Sequence, residues 1–380
     1  MKIGIVGTGH TKFGKSEQNI EELMLEATNQ ALLSAKTDIE KIDVIYVANL
    51  SSSFSHQCHL PAVLASALRV NKEIIRVESA CASGGLAIKE AAIAIASGLY
   101  KTALVVGVEK MTETPIDETT AILASAASQT EIRHGATFPS LFALMAQRHF
   151  YKYHTTEKDL AQIALKNHHN AFLNPLAHFH KEVTVDDVLK SRVIASPLKL
   201  LDCSAISDGA AAVVMCSEET APYFKSEPIY LIGIGHNTDF IGIYDREDLT
   251  QIPSVKKAAQ KAYLMSGKFP KDIDVAELHD CFTIAELIEM EDLGFCDKGK
   301  AAEMIAKGET QLVGKLPINP SGGLKAKGHP IGATGVSQVV EIVKQLQGTC
   351  GKRQAKKADI GLTCNVGGSG ATAIVNILSR

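Results

Sequence analysis

Two stretches far apart in the chain have the same form. Ser207-Asp208-Gly209-Ala210-Ala211-Ala212-Val213-Val214 and Ser369-Gly370-Ala371-Thr372-Ala373-Ile374-Val375 each run from a glycine through small residues into a branched pair. Self-similarity over such a distance is the mark of a duplicated unit. Other features recur with it. Val44–Ser53 is matched by Val275–Thr283, and the turn around Cys81, with its glycine-ended helix, by Asn319–Gly335 and a helix Val336–Gln347 that stops at Gly348. The spacings differ: Gly209 and Gly370 are 161 positions apart, Cys81 and Ser321 240. An insertion of about 80 residues in the first copy reconciles them.

Residues 111–206 fit that insertion. Before them, strand-like and helix-like runs alternate: Lys2–Val6, Ile20–Ser34, Val44–Ala48, Glu73–Val77, Leu86–Ser97 and Thr102–Val108. Within them, His and Asn become frequent, and Phe138-Pro139, Asn174-Pro175 and Ser196-Pro197 break the pattern. The expectation is an α/β chain of two halves, 1–110 completed by a strand at 207–217 and 218–380, with a loop domain at 111–206. Ligands prefer the cleft between two such halves.

A chain of 380 residues is long enough for several packed units around a large core. Its net charge of −3 argues against nucleic acid as the main partner. No apolar run reaches the roughly 18 residues of a membrane span, and the first residues read as a strand, so a cytoplasmic protein is expected. Eight cysteines stand singly without a CxxC pair, which fits neither a disulfide framework nor a zinc site. His168-His169 and His178-Phe179-His180 lack a Cys or carboxylate at ligand spacing and read as solvated or capping residues, with no metal. Gly7-Thr8-Gly9-His10-Thr11-Lys12 begins like a dinucleotide fingerprint but has Lys12 where the third glycine belongs, which disfavours a nicotinamide cofactor.

Chemistry concentrates at Val77-Glu78-Ser79-Ala80-Cys81-Ala82-Ser83-Gly84-Gly85. The following helix, Leu86–Ser97, is almost wholly apolar and is expected to be buried all round, with Gly98 ending it. A thiol at the N-terminus of such a helix gains from free N–H groups and the helix dipole, which lower its pKa from about 8.5. The bland alternative is a buried, inert cysteine; Cys81 and its helix alone leave the two readings level. Three stretches of the second half bear on the choice. Glu277-Leu278-His279-Asp280-Cys281-Phe282-Thr283 ends a strand and enters a helix Ile284–Leu293; His279 and Cys281, two apart, point the same way on an extended strand end. Asn319–Gly335 places His329 in a glycine-dense loop opening a helix. Gly323 and Gly328 there have phosphate-loop spacing, but His329-Pro330 stands where Lys-Ser/Thr is required, so nucleotide hydrolysis is not expected. The third stretch is Thr363-Cys364-Asn365-Val366-Gly367-Gly368-Ser369-Gly370.

Together these motifs resemble those of the thiolases along essentially the whole chain. The Cys81 turn is similar to the family's nucleophile segment, and Gly328-His329-Pro330-Ile331-Gly332-Ala333-Thr334-Gly335 to its histidine motif. Cys364–Gly370 is similar to its C-terminal cysteine loop, and His279-Asp280-Cys281-Phe282 to the sterol-carrier-protein-type and archaeal-type branch. The resemblance implies a five-layer α-β-α-β-α core and a CoA-dependent acyltransferase that condenses two acetyl-CoA or cleaves a 3-ketoacyl-CoA. No cofactor is held permanently; the coenzyme A thioester is the substrate. It implies Cys81 as acyl-accepting nucleophile, His329 as its activator and oxygen ligand, and His279 completing the first oxyanion hole. The N–H groups of Cys81 and Val366 would form the second hole, and Ser204 would contact the pantetheine arm. The acid/base is either Cys281 or Cys364, with Cys281 preferred because its motif is complete while Val366 replaces a glycine in the other. Implied partners are a second copy of the chain, as homodimer or homotetramer, and a zinc-containing OB-fold protein with a hydroxymethylglutaryl-CoA synthase. Two alternatives follow from the same resemblance: a scaffold subunit that passes thioesters to a partner, and a ketoacyl-synthase-type condensing enzyme.

Overall fold

The computed structural model describes residues 2–380. Strands and helices alternate first: β1 (Ile3–His10), α1 (Ile20–Ala35), β2 (Val44–Ala48), α2 (Leu60–Leu68), β3 (Glu73–Val77), α3 (Ser83–Ala96) and β4 (Thr102–Glu109). Then come α4 (Ile116–Ala124), α5 (Gln129–Arg133), α6 (Phe138–Tyr153), α7 (Glu157–Phe172), α8 (Val185–Lys190) and a small hairpin, β5 (Val193–Ala195) with β6 (Leu198–Lys199). The remainder is β7 (Gly209–Ser217), β8 (Ile229–Thr238), α9 (Pro253–Ser266), β9 (Val275–Glu277), α10 (Thr283–Asp292), α11 (Ala301–Ala306), α12 (Ile331–Leu346), β10 (Ile360–Gly367) and β11 (Thr372–Ser379). Local chemistry sets several starts. The Asn19 side chain accepts the Glu22 N–H while the Glu22 carboxylate takes the Asn19 N–H, and Thr156 with Asp159 and Thr184 with Asp187 do the same for α7 and α8.

Nine strands form one ladder in the order β3-β2-β4-β7-β1-β8-β11-β10-β9. Its two parts join only where Ile3, Gly4 and Ile5 of β1 pair with Leu231, Tyr230 and Ile229 of β8. Each part repeats one plan: β2 is parallel to β4 as β9 is to β10, and β7 and β11 then run antiparallel. The counterpart of β3 is reduced to a single bridge between Ala276 and Ile318.

Helices α3 and α12 lie between the two parts. Ile88 and Ala91 with Val336 and Val339 share one core with Val44 and Val105 on one side and Leu231 and Val275 on the other. Helix α1 covers the outer face of the first part, and α9 and α10, with α6 and α7, that of the second. The result is five layers, as the thiolase resemblance implies. The middle layer is tight: a Cβ on Gly335 would lie 2.2 Å from Gly85 N and from Asn365 Oδ1, so only glycine lets the two helices meet.

Three local expectations change. Every residue of α12 except Lys344 is buried, whereas α3, expected to be buried all round, exposes Ile93. Strand β1, expected to end at Val6, runs on through Gly7-Thr8-Gly9 to His10 and packs on α1. Strand β9 stops at Glu277, leaving His279–Phe282 as a turn in which Cys281 N–H donates to His279 O at 2.8 Å. Among the described residues, no helix is long and apolar enough to cross a membrane.

Candidate active site

Strand β3 delivers the chain to a tight turn before α3. Ala80 holds a left-handed φ of 50°, a conformation that costs a non-glycine residue about 1–2 kcal/mol. Ser83 secures it, donating from Oγ to Ala80 O at 2.6 Å while accepting Ser79 N–H at 2.8 Å. Cys81 thereby stands just before the helix. Its thiol is nevertheless pushed up to about 12, not lowered. Burial dominates, and the N–H groups of Gly368 and of Cys81 itself, both directed at the sulfur, offset it only in part. Helix-end stabilisation falls off within a turn, and desolvation outweighs it here.

Two imidazoles supply what the thiol lacks. Cys81, His279 and His329 bring one ligating atom each within 4.8 Å of one another, and the two rings meet edge-on with centroids 5.1 Å apart. Burial, and then the Lys327 charge, push His329 down to about 3, so it rests neutral. Thr334 Oγ1 donates to Pro330 O at 3.0 Å and therefore accepts the His329 Nδ1 proton at 2.7 Å. That leaves Nε2 with a free lone pair, the state a general base requires. Burial and His329 hold His279 well below its usual range. The same three side chains are also donor types that bind zinc.

Cys281 completes the cluster. Its thiol is pushed well above the usual value by burial first and then by the Cys81 sulfur. Behind it, Asp280 anchors the loop leading to His329, accepting Leu324 N–H at 2.6 Å and Lys325 N–H at 3.2 Å. Glu109 ties the start of α12 to the first half by accepting Gly332 N–H at 3.0 Å and Leu50 N–H at 2.8 Å. Ser204 lies beside Cys281, its N–H donating to Cys281 O at 2.9 Å.

Residues 3–219 match the model of the thiolase N-terminal domain, and residues 235–380 that of the thiolase C-terminal domain-like family. The chain belongs to the thiolase family. An acetyl-CoA acetyltransferase of Methanothermobacter thermautotrophicus is 43% identical over 381 residues, covering 100% of this thiolase and 99% of the relative. Sterol carrier protein 2 of Bos taurus is 34% identical over 392 residues, covering 98% of this chain and 71% of the relative. Among solved structures, an Ltp2-ChsH2(DUF35) aldolase superposes with a TM-score of 0.87 at 27% identity, covering 100% of this chain and 97% of the other. The likeness thus lies with the archaeal acetyltransferases and the sterol-carrier-type branch.

Two expected residues of this thiolase lie elsewhere. Cys364 is not brought to Cys81. Burial, and then the neighbouring Glu289 carboxyl, push its thiol well above the usual value, and with Val366 it joins the core formed by α9 and α10. Val366 lies in the paired part of β10, opposite Ala373; Gly368, turning at φ +62° just beyond the strand, aims its N–H at the Cys81 sulfur instead. The residue of this loop that does face the cluster is Asn365, which contacts Cys81 and His279. Strand alternation carries the signal: if Cys364 and Val366 face one core, Asn365 faces away from it. The loop-domain histidines find ordinary partners: His168 Nδ1 meets Lys181 O at 3.1 Å, His178 Nδ1 Ser207 Oγ at 2.9 Å, and His180 Nε2 Asn174 O at 2.8 Å. His168 is buried and not solvated.

Proposed function

We propose that this thiolase is an acetyl-CoA C-acetyltransferase, or a 3-ketoacyl-CoA thiolase, working through an acyl group on Cys81. The observation that carries the reading is the convergence of half-buried Cys81 with buried His279 and His329 in one cluster beside Cys281. His329 Nε2 takes the Cys81 proton as sulfur attacks the thioester carbonyl; the carbon–sulfur bond to CoA breaks, and the imidazolium returns the proton to the departing CoA thiolate. The acyl oxygen then rests against the N–H groups of Cys81 and Gly368, which already converge on the sulfur. For condensation, Cys281 passes its proton to His329 and, as thiolate, removes an α-proton from a second acetyl-CoA, whose oxygen the resulting imidazolium and His279 hold. The carbanion attacks the acyl carbon, Cys81 leaves as thiolate, and His329 returns its proton to it. Acid/base help of this kind is worth about 10²–10⁴ in rate, and one oxyanion donor about 2.7–4 kcal/mol. Cys364, its thiol beside the Glu289 carboxyl, is given no part in this scheme.

Incubation with acetyl-CoA followed by peptide mass measurement tests the first step: an acetyl group on the Cys81 peptide supports it, and an unlabelled peptide under turnover conditions overturns it. For the second, Cys281→Ala should abolish exchange of the acetyl α-protons with solvent, while Cys364→Ala should leave it near wild type; the opposite pattern moves the role to Cys364.

A subunit that acts with a partner is the second reading. It is favoured by the structural neighbour, an aldolase assembled from Ltp2 and a DUF35 protein. Full activity of the purified chain would exclude that dependence. Self-association fits the open edge of β3, which a second copy would cover.

A further inference from the structure

We infer that Asn365 is a positioning residue that fixes which nitrogen of His279 carries the proton, making His279 a hydrogen-bond donor to the substrate oxygen and never a base. The inference deepens the thiolase mechanism proposed above and rests on it for its catalytic meaning. The geometry stands without it.

The Asn365 amide has no freedom to turn over. Its Oδ1 accepts the Gly85 N–H at 3.0 Å, wedged where α3 and α12 touch. A flipped amide would press its NH2 against that donor. With Oδ1 committed, Nδ2 must point the other way. There it donates one hydrogen to Cys81 O at 2.9 Å and meets His279 Nδ1 at 3.2 Å with the other. All three contacts are made by a fully buried side chain, so none has a water to replace it. His279 Nδ1 faces a donor and must therefore offer its lone pair. The ring is buried beside a second imidazole, which keeps it neutral, so its one proton sits on Nε2.

His329 has the opposite arrangement, with its proton on Nδ1 towards Thr334 and a lone pair on Nε2. Two histidines in edge contact thus have different tasks. His329 removes the thiol proton, and His279 gives a hydrogen bond to oxygen. Asn365 also holds the Cys81 carbonyl, so one amide spaces the nucleophile from the donor.

The experiment is nitrogen-15 NMR of the imidazole side chains of the ligand-free protein near pH 7, with the His279 signals assigned by their loss in His279→Gln. Wild type should show His279 protonated on Nε2 alone. A proton on Nδ1, or an imidazolium, overturns the inference. Asn365→Asp replaces the donor with an acceptor and should move the proton to Nδ1, with kcat down at least tenfold; an unchanged Nε2–H tautomer in that variant also overturns it. If Asn365→Asp does not fold, the wild-type spectrum still decides. The tautomer is read without substrate, so a failure of Cys81 to acetylate would sink the thiolase mechanism and leave this inference standing.

Discussion

Replacing Thr334 by valine should slow acylation of Cys81 without removing any group that touches substrate. The Thr334 hydroxyl is the acceptor that keeps the His329 proton on Nδ1. Valine has nearly the same shape and no acceptor. Nδ1–H would then be stranded in a site from which water is excluded, a loss of about 1–3 kcal/mol. The ring escapes this only by moving its proton to Nε2, which removes the base facing the thiol. Either way the reactive state is disfavoured by that amount, and at 1.36 kcal/mol per decade the acylation rate should fall by about 5–150-fold. Single-turnover transfer from acetyl-CoA, followed by mass measurement at Cys81, reads that step alone. Thr334→Ser keeps the acceptor and should stay within a few-fold of wild type. Two results would refute the reasoning: Thr334→Val acylating within twofold of wild type, or Thr334→Ser falling as far as Thr334→Val.

Asp208 takes hydrogen bonds from Met111 N at 2.6 Å, Thr112 N at 2.8 Å, Ser16 N at 3.1 Å and Thr112 Oγ1 at 2.6 Å, and from Lys110 Nζ at 2.9 Å. Asp208→Asn strands the Lys110 ammonium apart from Glu113 and Ser16 O, and should cost about 3 kcal/mol, or about 4 °C in melting temperature, with Lys110→Met in the same chain restoring part of it. Burial alone would raise the Asp208 pKa, but Thr112 and Lys110 bring it below the usual carboxylate value. Its contribution is therefore present above about pH 4 and lost as the pH falls through the lower folded value, so melting of Asp208→Asn should depend less on pH in that range. Gly335→Ala should destabilise by about 3 kcal/mol or more, because the new methyl meets the Gly84–Gly85 backbone and the hydrogen-bonded Asn365 amide; a melting curve like wild type would mean that α3 and α12 can separate. Ser204→Ala should raise KM for acetyl-CoA about 2–10-fold, the worth of one hydrogen bond, with kcat unchanged; a fall in kcat alone would place Ser204 with Cys281 rather than with the pantetheine arm.

The fold was legible because the two copies of the pattern survive in residues with one task each. Gly209 and Gly370 open β7 and β11, and the same alternation surrounds β2 and β9. The cluster was legible where a residue type is scarce: a histidine in a glycine loop and a cysteine at a strand end have few bland uses. What could not be read was orientation within a strand. Cys364 and Asn365 are neighbours, and one step along β10 exchanges the core for the active site. Nor could the sequence show that burial around Cys81 exceeds the help of the adjacent helix end, since that depends on layers contributed by both halves.

The position of β7 has a consequence in time. β1 pairs only with β7 and β8, both of which lie beyond residue 208. A ribosome adding about 5–20 residues per second takes roughly 10–40 s to cover that distance, and throughout it β1 has two open edges in a chain already rich in apolar strands. Helices α1 and α3 are in place to cover its faces, but neither closes an edge. A truncated N-terminal half must therefore extend past Ser217 to close its own sheet, and a nascent chain must be shielded until it does.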